Sequence, residues 1–328
     1  MTLPAESAAG MRQLQQAGEW LGMELSLAAE NVTMVTQSHG SQRSTYADIF
    51  AKNYNDLVGM GNPGDLQKLF DGVDPRQNGS FLVDLMRTYD CQSALDTCSG
   101  CQYDILYLLG AAARHEITLR RLVSNELDDA LLEQGMRNMK IVQEEKKFPS
   151  PEYTRHPWQL LSASFGGSVF DAGFCMGNSL SHISDPAQRK LCLENFADVT
   201  QKVFVIDMRN FHQMLANRDE LRTRALDFLR AGPSADAGNR VLFPGTISNF
   251  PVCITPDLII VAYVRHGDRL PYALVEFTPL TLPLLLSEIR ESFRTVEIRC
   301  DRKNMGMPDI ATLEAIDGPR TLQFICTK

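Results

Sequence analysis

The chain has 328 residues, 44% hydrophobic and 22% charged, and its 40 acids and 32 bases give a formal charge of −8. This composition is that of a folded chain and excludes a disordered, collagen-like or simple coiled-coil one. Residues 1–150 hold about 20 of the acids against 13 bases, so the acidity that disfavours bulk duplex-DNA binding sits in the first half. Met11, Leu14, Ala17, Leu21 and Leu25 fall at helical spacing and predict a helix over residues 11–30. A polar break at Ser38–Ser44 precedes a helical stretch at Tyr46–Leu57. Gly59-Met60-Gly61-Asn62-Pro63-Gly64 follows a helix and contains Pro, so it reads as a turn, not a dinucleotide fingerprint. Helices are expected from Asp65 to Phe70 and Asn125 to Met139, with a short helix or strand at Phe81–Arg87. An apolar run from Asp104 to Ala113 continues at helical spacing through Ile117, Leu119, Leu122 and Val123.

Phe148-Pro149-Ser150-Pro151 breaks the chain, because each Pro removes a donor and biases its predecessor away from helix. We place a boundary there, giving an acidic, mainly helical domain 1–150 and an α/β domain 151–328. The second half predicts helices at Pro186–Val199 and Arg209–Arg230, with a short strand at Val203–Asp207 between them. Strands follow at Val241–Phe243, Cys253–Ile254, Leu258–Val264 and Tyr272–Phe277, with a hairpin turn at His266-Gly267-Asp268. Leu282, Leu285, Leu286, Ile289 and Phe293 mark a buried helix face, and Val296–Cys300 and Leu322–Cys326 are closing strands. The fold class is therefore α/β or α+β, a small mixed sheet flanked by helices behind a helical first half.

Met1–Gly10 has neither a basic nor an apolar leader segment, and no apolar stretch reaches the roughly 18 residues of a membrane span. The expected location is intracellular, cytoplasmic or nuclear, with no membrane partner. Reduced thiols follow from that location. Cys98-Ser99-Gly100-Cys101 is a CxxC pair, and with Cys91 and His115 it makes three thiolates and an imidazole, a set able to hold a structural zinc ion. Buried free thiols are the plainer alternative. A Cys175–His182 nucleophile–base pair has no surrounding motif to mark it.

Two acids stand out in the second half. Asp257 follows Pro256 at the head of one strand, and Glu276 lies near the end of the next. Paired strands could bring these carboxylates together as hard oxygen ligands for Mg²⁺. Pro256-Asp257, Glu276-Phe277-Thr278 and the element order over residues 209–300 resemble the core of the PD-(D/E)XK nuclease superfamily. That resemblance implies Asp257 and Glu276 as the catalytic pair, but its lysine position is Thr278, which carries no charge. Arg290, Arg294, Arg299, Arg302 and Lys303 could meet phosphates, though acids interleave them. The reading from sequence is thus an intracellular interaction or assembly protein, of viral or accessory type, with a degenerate nuclease-like core. It expects a protein partner, with nucleic acid an option for the second half. The alternative is a metal-dependent nuclease.

Overall fold

Two β-sheets organise the chain in a computed structural model that describes residues 5–22, 33–35, 60, 62–74, 76–167, 170–231, 247–265, 273–304 and 306–328. The strands are β1 (Thr33–Val35), β2 (Ser93–Asp96), β3 (Arg121–Asn125), β4 (Glu152–Thr154), β5 (Phe170–Cys175), β6 (Thr200–Arg209), β7 (Ile247–Ile254), β8 (Ile259–Arg265), β9 (Ala273–Phe277), β10 (Thr295–Cys300) and β11 (Thr321–Thr327). Seven form one sheet in the order β10-β11-β6-β5-β2-β3-β4, and four form a second, β1-β9-β8-β7. From β4 across to β6 every pairing is parallel, whereas β11 runs antiparallel to both β6 and β10.

The chain enters the large sheet in the middle, at β2. It steps outward to β3 and β4, then returns to the other side of β2 with β5 and β6. The strand order therefore reverses between β2 and β5. In open α/β sheets a ligand crevice lies beyond the carboxyl ends of the strands at such a point. The segment around position 150 joins β3 to β4, two neighbours in one sheet.

Both faces of the large sheet are covered, as a parallel sheet requires. Successive side chains of β6 point to opposite faces. Phe204, Ile206 and Met208 pack with Leu193, Phe196, Leu285, Ile289 and Phe293, from helices Pro186–Val199 and Leu282–Arg290 and the residues just after them. Val203 and Val205 face Leu66, Leu82, Leu106 and Leu131, from helices Pro63–Phe70, Asn78–Thr88, Tyr103–Ala113 and Asp129–Gln143. Each such side chain contributes about 1.5–3 kcal/mol by burial. The small sheet divides its faces the same way. Val261, Tyr263, Val275 and Phe277 join the core of the large sheet. Phe250, Val252, Ile260, Ala262 and Leu274 pack with Ala17, Leu21 and Ala225, from helices Ala5–Leu21 and Arg218–Ala231.

The α/β class and most second-half elements stand as expected. The expected Arg209–Arg230 helix is two, Phe211–Ala216 and Arg218–Ala231. The first half needs correction. The apolar run does not continue as helix: it ends at Ala113, the backbone reverses at His115 (φ 59°), and Leu122 and Val123 lie in β3. Strands β2 and β5 had no sequence expectation. The expectations for Ser38–Ser44, Tyr46–Leu57, Val241–Phe243, Gly59, Gly61 and the His266-Gly267-Asp268 turn fall outside the described residues. Among the described residues no helix is long and apolar enough to cross a membrane.

Candidate functional site

The crevice at the reversal point is built first from the loop after β2. Asp96 ends that strand and is 2% exposed. Its Oδ1 accepts the Cys98 N–H at 3.2 Å. Gly100 has φ +48°, and a Cβ added there would meet nothing within 4 Å, so the space on that side of Gly100 is open. The Gly100 N–H donates to Glu126 Oε2 at 2.8 Å, and the Asp128 N–H donates to Oε1 at 3.0 Å. Glu126 stands one residue past the end of β3. Behind it, the Asn125 amide donates to Thr97 O (3.2 Å) and His156 O (3.0 Å) and accepts from the Thr154 hydroxyl (2.9 Å) and the His156 N–H (2.7 Å). Trp158 Nε1 also donates to Thr97 O, at 2.6 Å. The ends of β2, β3 and β4 are thereby held in one geometry.

Carboxylates outnumber cations here. Asp74, Asp96, Asp104, Glu126 and Asp207 lie in one electrostatic neighbourhood with two guanidiniums, Arg76 and Arg302. Arg76 pairs with Asp74 at 3.2 Å and Asp104 at 2.9 Å. Burial holds Asp96, Asp104 and Asp207 above the usual carboxylate range and pushes Glu126 up to about 7. A surplus of desolvated carboxylates favours a positively charged ligand. An acid at the tip of β3, tied to the glycine loop, is suited to accept hydroxyl groups of a ligand.

The other wall comes from β5 and β6. After Cys175 the chain turns through Asn178, which has φ 65°. Its N–H donates to Asp207 O at 3.1 Å, and its Oδ1 accepts the Arg209 N–H at 3.0 Å. Asn178 Nδ2 is buried without a partner among the described residues. The same segment docks on the small sheet, with the Thr278 N–H donating to Ser181 O at 2.8 Å. His182 packs on Phe277 at 4.9 Å, and burial first, then the nearby Arg209, lowers its pKa to about 4. The Arg209 guanidinium lies 5.0 Å from the Phe277 ring centroid and donates to the Tyr263 hydroxyl at 3.3 Å. A neutral histidine, an arginine, a tyrosine and a phenylalanine thus line a corner between the two sheets.

The sequence-predicted sites are not assembled. Cys91 precedes β2 and Cys98 and Cys101 follow it, so a strand about 13 Å long separates them. The exposed His115 lies beyond the far end of helix Tyr103–Ala113, about 16 Å of helix away from Cys101. Ligands to one zinc ion must all reach it at about 2.3 Å or less. Among the described residues no three His, Cys, Asp or Glu side chains are placed to share a metal ion, which corrects both the zinc and the Mg²⁺ expectations. All eight thiols are free, and burial pushes Cys91 up to about 12. Cys98 and Cys101 belong instead to the glycine loop of the crevice.

Asp257 is exposed in the turn between β7 and β8. Glu276 is partly buried in β9 opposite Ile260, three residues or roughly 10 Å of strand further on. Residues 209–300 do not form one sheet either, since β7 to β9 lie in the small sheet and β10 in the large one. The nuclease-like resemblance is overturned, and the roles it implied for Asp257 and Glu276 lapse with it.

The seven-stranded sheet, parallel from β4 to β6 with β11 antiparallel, is the sheet of the fold seen in S-adenosylmethionine-dependent methyltransferases. Two solved structures share it. One is an S-adenosylmethionine-dependent methyltransferase from Clostridium acetobutylicum (TM-score 0.55, 11% identity, covering 85% of this chain and 98% of that one). The other is the CcbJ methyltransferase from Streptomyces caelestis (TM-score 0.51, 10% identity, 88% and 100%). In sequence the chain is 24% identical to rabbit glycine N-methyltransferase over 278 residues, 80% of this chain and 90% of the relative. The mouse glycine N-methyltransferase is 25% identical over 184 residues, 53% of this chain, and the match spans only about 60% of that relative. A glycine/sarcosine N-methyltransferase of Parasynechococcus marenigrum is 23% identical over 146 residues, 44% of this chain and 47% of the relative. No family model matches. These similarities overturn both functional readings made from sequence, the interaction or viral accessory protein and the nuclease.

Proposed function

We propose that this chain is an intracellular methyltransferase that binds S-adenosylmethionine and acts on the amine nitrogen of a small substrate bearing a carboxylate. The observation that carries the reading is the Gly100–Glu126 link at the point where strand order reverses. It combines open space beside Gly100 with a carboxylate one residue past β3 whose two oxygens hold the loop and the Asp128 N–H. When bound, the cofactor supplies a methyl group activated by a positively charged sulfur.

The chain's own residues bind and orient. Glu126 accepts the ribose hydroxyls. Asp96 and its neighbouring acids favour the positive charge, and in a desolvated pocket such preorganised charges act strongly. Arg209 takes the acceptor's carboxylate, because a guanidinium presents forked donors to that group. Asn178 turns its free Nδ2 toward the ligand. His182, neutral above about pH 4, adds no second positive charge beside Arg209. Phe277 and Tyr263 exclude water from the corner.

The test is transfer of labelled methyl from S-adenosylmethionine to glycine or sarcosine. Wild type should transfer label, and Arg209→Ala should raise the KM for the amino acid by about tenfold or more. Transfer to neither amino acid would overturn the substrate class. An Arg209→Ala variant with unchanged KM would overturn the role of that arginine.

A further inference from the structure

The turn leaving β10 holds two consecutive non-glycine residues in the left-handed region, Asp301 (φ 47°) and Arg302 (φ 66°). Such conformations persist where the surroundings over-determine them. Here they do. The Asp301 carboxylate accepts the N–H groups of Arg320 at 3.0 Å and Thr321 at 2.9 Å, and the Thr321 hydroxyl at 3.1 Å. The Arg302 N–H donates to Gln323 Oε1 at 2.7 Å, and Gln323 Nε2 donates to Asp207 Oδ1 at 2.7 Å.

This turn aims the Arg302 side chain back over the carboxyl ends of the strands. Nη2 donates to Asn78 Oδ1 at the start of helix Asn78–Thr88. Its charge reaches Asp104, in the first turn of the helix after the glycine loop, and Asp207, near the end of β6. Arg302 Nε is buried without a partner among the described residues. A guanidinium N–H withdrawn from water and left without an acceptor is costly, and a guanidinium can only donate. Arg76, the other guanidinium of the pocket, is already engaged by two carboxylates.

We propose that Arg302 receives a carboxylate of a molecule bound in the crevice, its Nε–H donating to one carboxylate oxygen. Two sources offer that chemistry, the amino-acid tail of the cofactor and the acceptor. The inference rests on the methyltransferase reading and adds a residue from the β10–β11 turn to it.

Calorimetry of the full chain with S-adenosylhomocysteine and with 5′-methylthioadenosine, which lacks the amino-acid tail, separates the cases. If the cofactor tail is the source, Arg302→Met loses about tenfold in affinity for S-adenosylhomocysteine and little for methylthioadenosine. If the acceptor is the source, both affinities hold and the KM for glycine rises by about tenfold. Equal losses for both nucleosides would mark a structural role and overturn the proposal. So would unchanged affinities with an unchanged KM. Should Arg302→Met fail to fold, Arg302→Lys keeps the charge and removes the Nε donor, and the same comparisons apply. A wild type that binds S-adenosylhomocysteine while Arg302 variants match it in both affinities and in KM rejects this inference alone. A wild type that binds no S-adenosylhomocysteine rejects the methyltransferase reading and this inference with it.

Discussion

At the tip of β3, Glu126 accepts the N–H groups of Gly100 and Asp128, yet burial holds its carboxyl protonated up to about pH 7. In the unfolded chain the same group ionises near its ordinary value of 4.5. Between those values the folded state binds more protons, so rising pH removes stability, and the loss persists above about 7. Glu126→Gln has no proton to lose. Its stability relative to wild type should rise by about 1 kcal/mol between pH 4.5 and pH 8, on top of a pH-independent cost because its Nε2 faces one of the two N–H groups that Glu126 accepts. Urea melts at the two pH values check this. On the proposed reading the same substitution removes the charged acceptor for ribose, so cofactor affinity should fall while the loss of stability with rising pH disappears. That opposition is what a ligand-binding carboxylate predicts and a purely structural one does not.

Among the elements, the segment after β5 depends on a buried ion pair. Arg189, on helix Pro186–Val199, meets both Glu288 oxygens at 2.9 and 2.6 Å and donates to the carbonyls of Ile183 and Ser184. Arg189 and Glu288 side chains are only 2% and 13% exposed. Arg189→Met would leave Glu288 without its partner, at a cost of about 3–5 kcal/mol, whereas Arg189→Met with Glu288→Leu should recover most of it. A double-mutant cycle by denaturant melts measures both. In the large sheet, a Cβ at Gly173 of β5 would come within 2.4 Å of the Phe204 ring, itself stacked on Phe196 at 4.6 Å. Gly173→Ala should therefore cost about 1–3 kcal/mol through overpacking. The same strands show where the sequence was hard to read. β2 is Ser-Ala-Leu-Asp and β5 carries Ala172 and Gly173, short and poor in β-branched residues, and buried strands lack polar alternation. Pro186–Val199 and the Leu282–Ile289 face were legible because their apolar spacing agreed with the packing. The site carried one usable signal. Asp96 and Gly100 precede helix Tyr103–Ala113, and the acid Glu126 follows in the next strand connection. The paired cysteines on either side of Gly100 drew the same segment toward a metal reading.

For the whole molecule, the sequence between β6 and β10 builds most of a second sheet instead of a simple crossover. One face of that sheet shares the core of the large sheet, and the corner between them holds Arg209, His182, Tyr263 and Phe277. On the proposed reading, the large sheet holds the cofactor and the small sheet closes the acceptor side. A ligand that binds only the folded chain raises its stability by mass action, about 2.7 kcal/mol at a hundredfold excess over Kd. S-adenosylhomocysteine should therefore raise the melting temperature of wild type and raise it less for Glu126→Ala. Calorimetric titration of wild type and Glu126→Ala with S-adenosylhomocysteine tests most directly whether this chain binds the cofactor through Glu126. Wild type should bind saturably, one to one, with affinity weakened about tenfold or more in Glu126→Ala. Absence of binding by wild type, or equal affinity in the two proteins, would contradict the proposed reading.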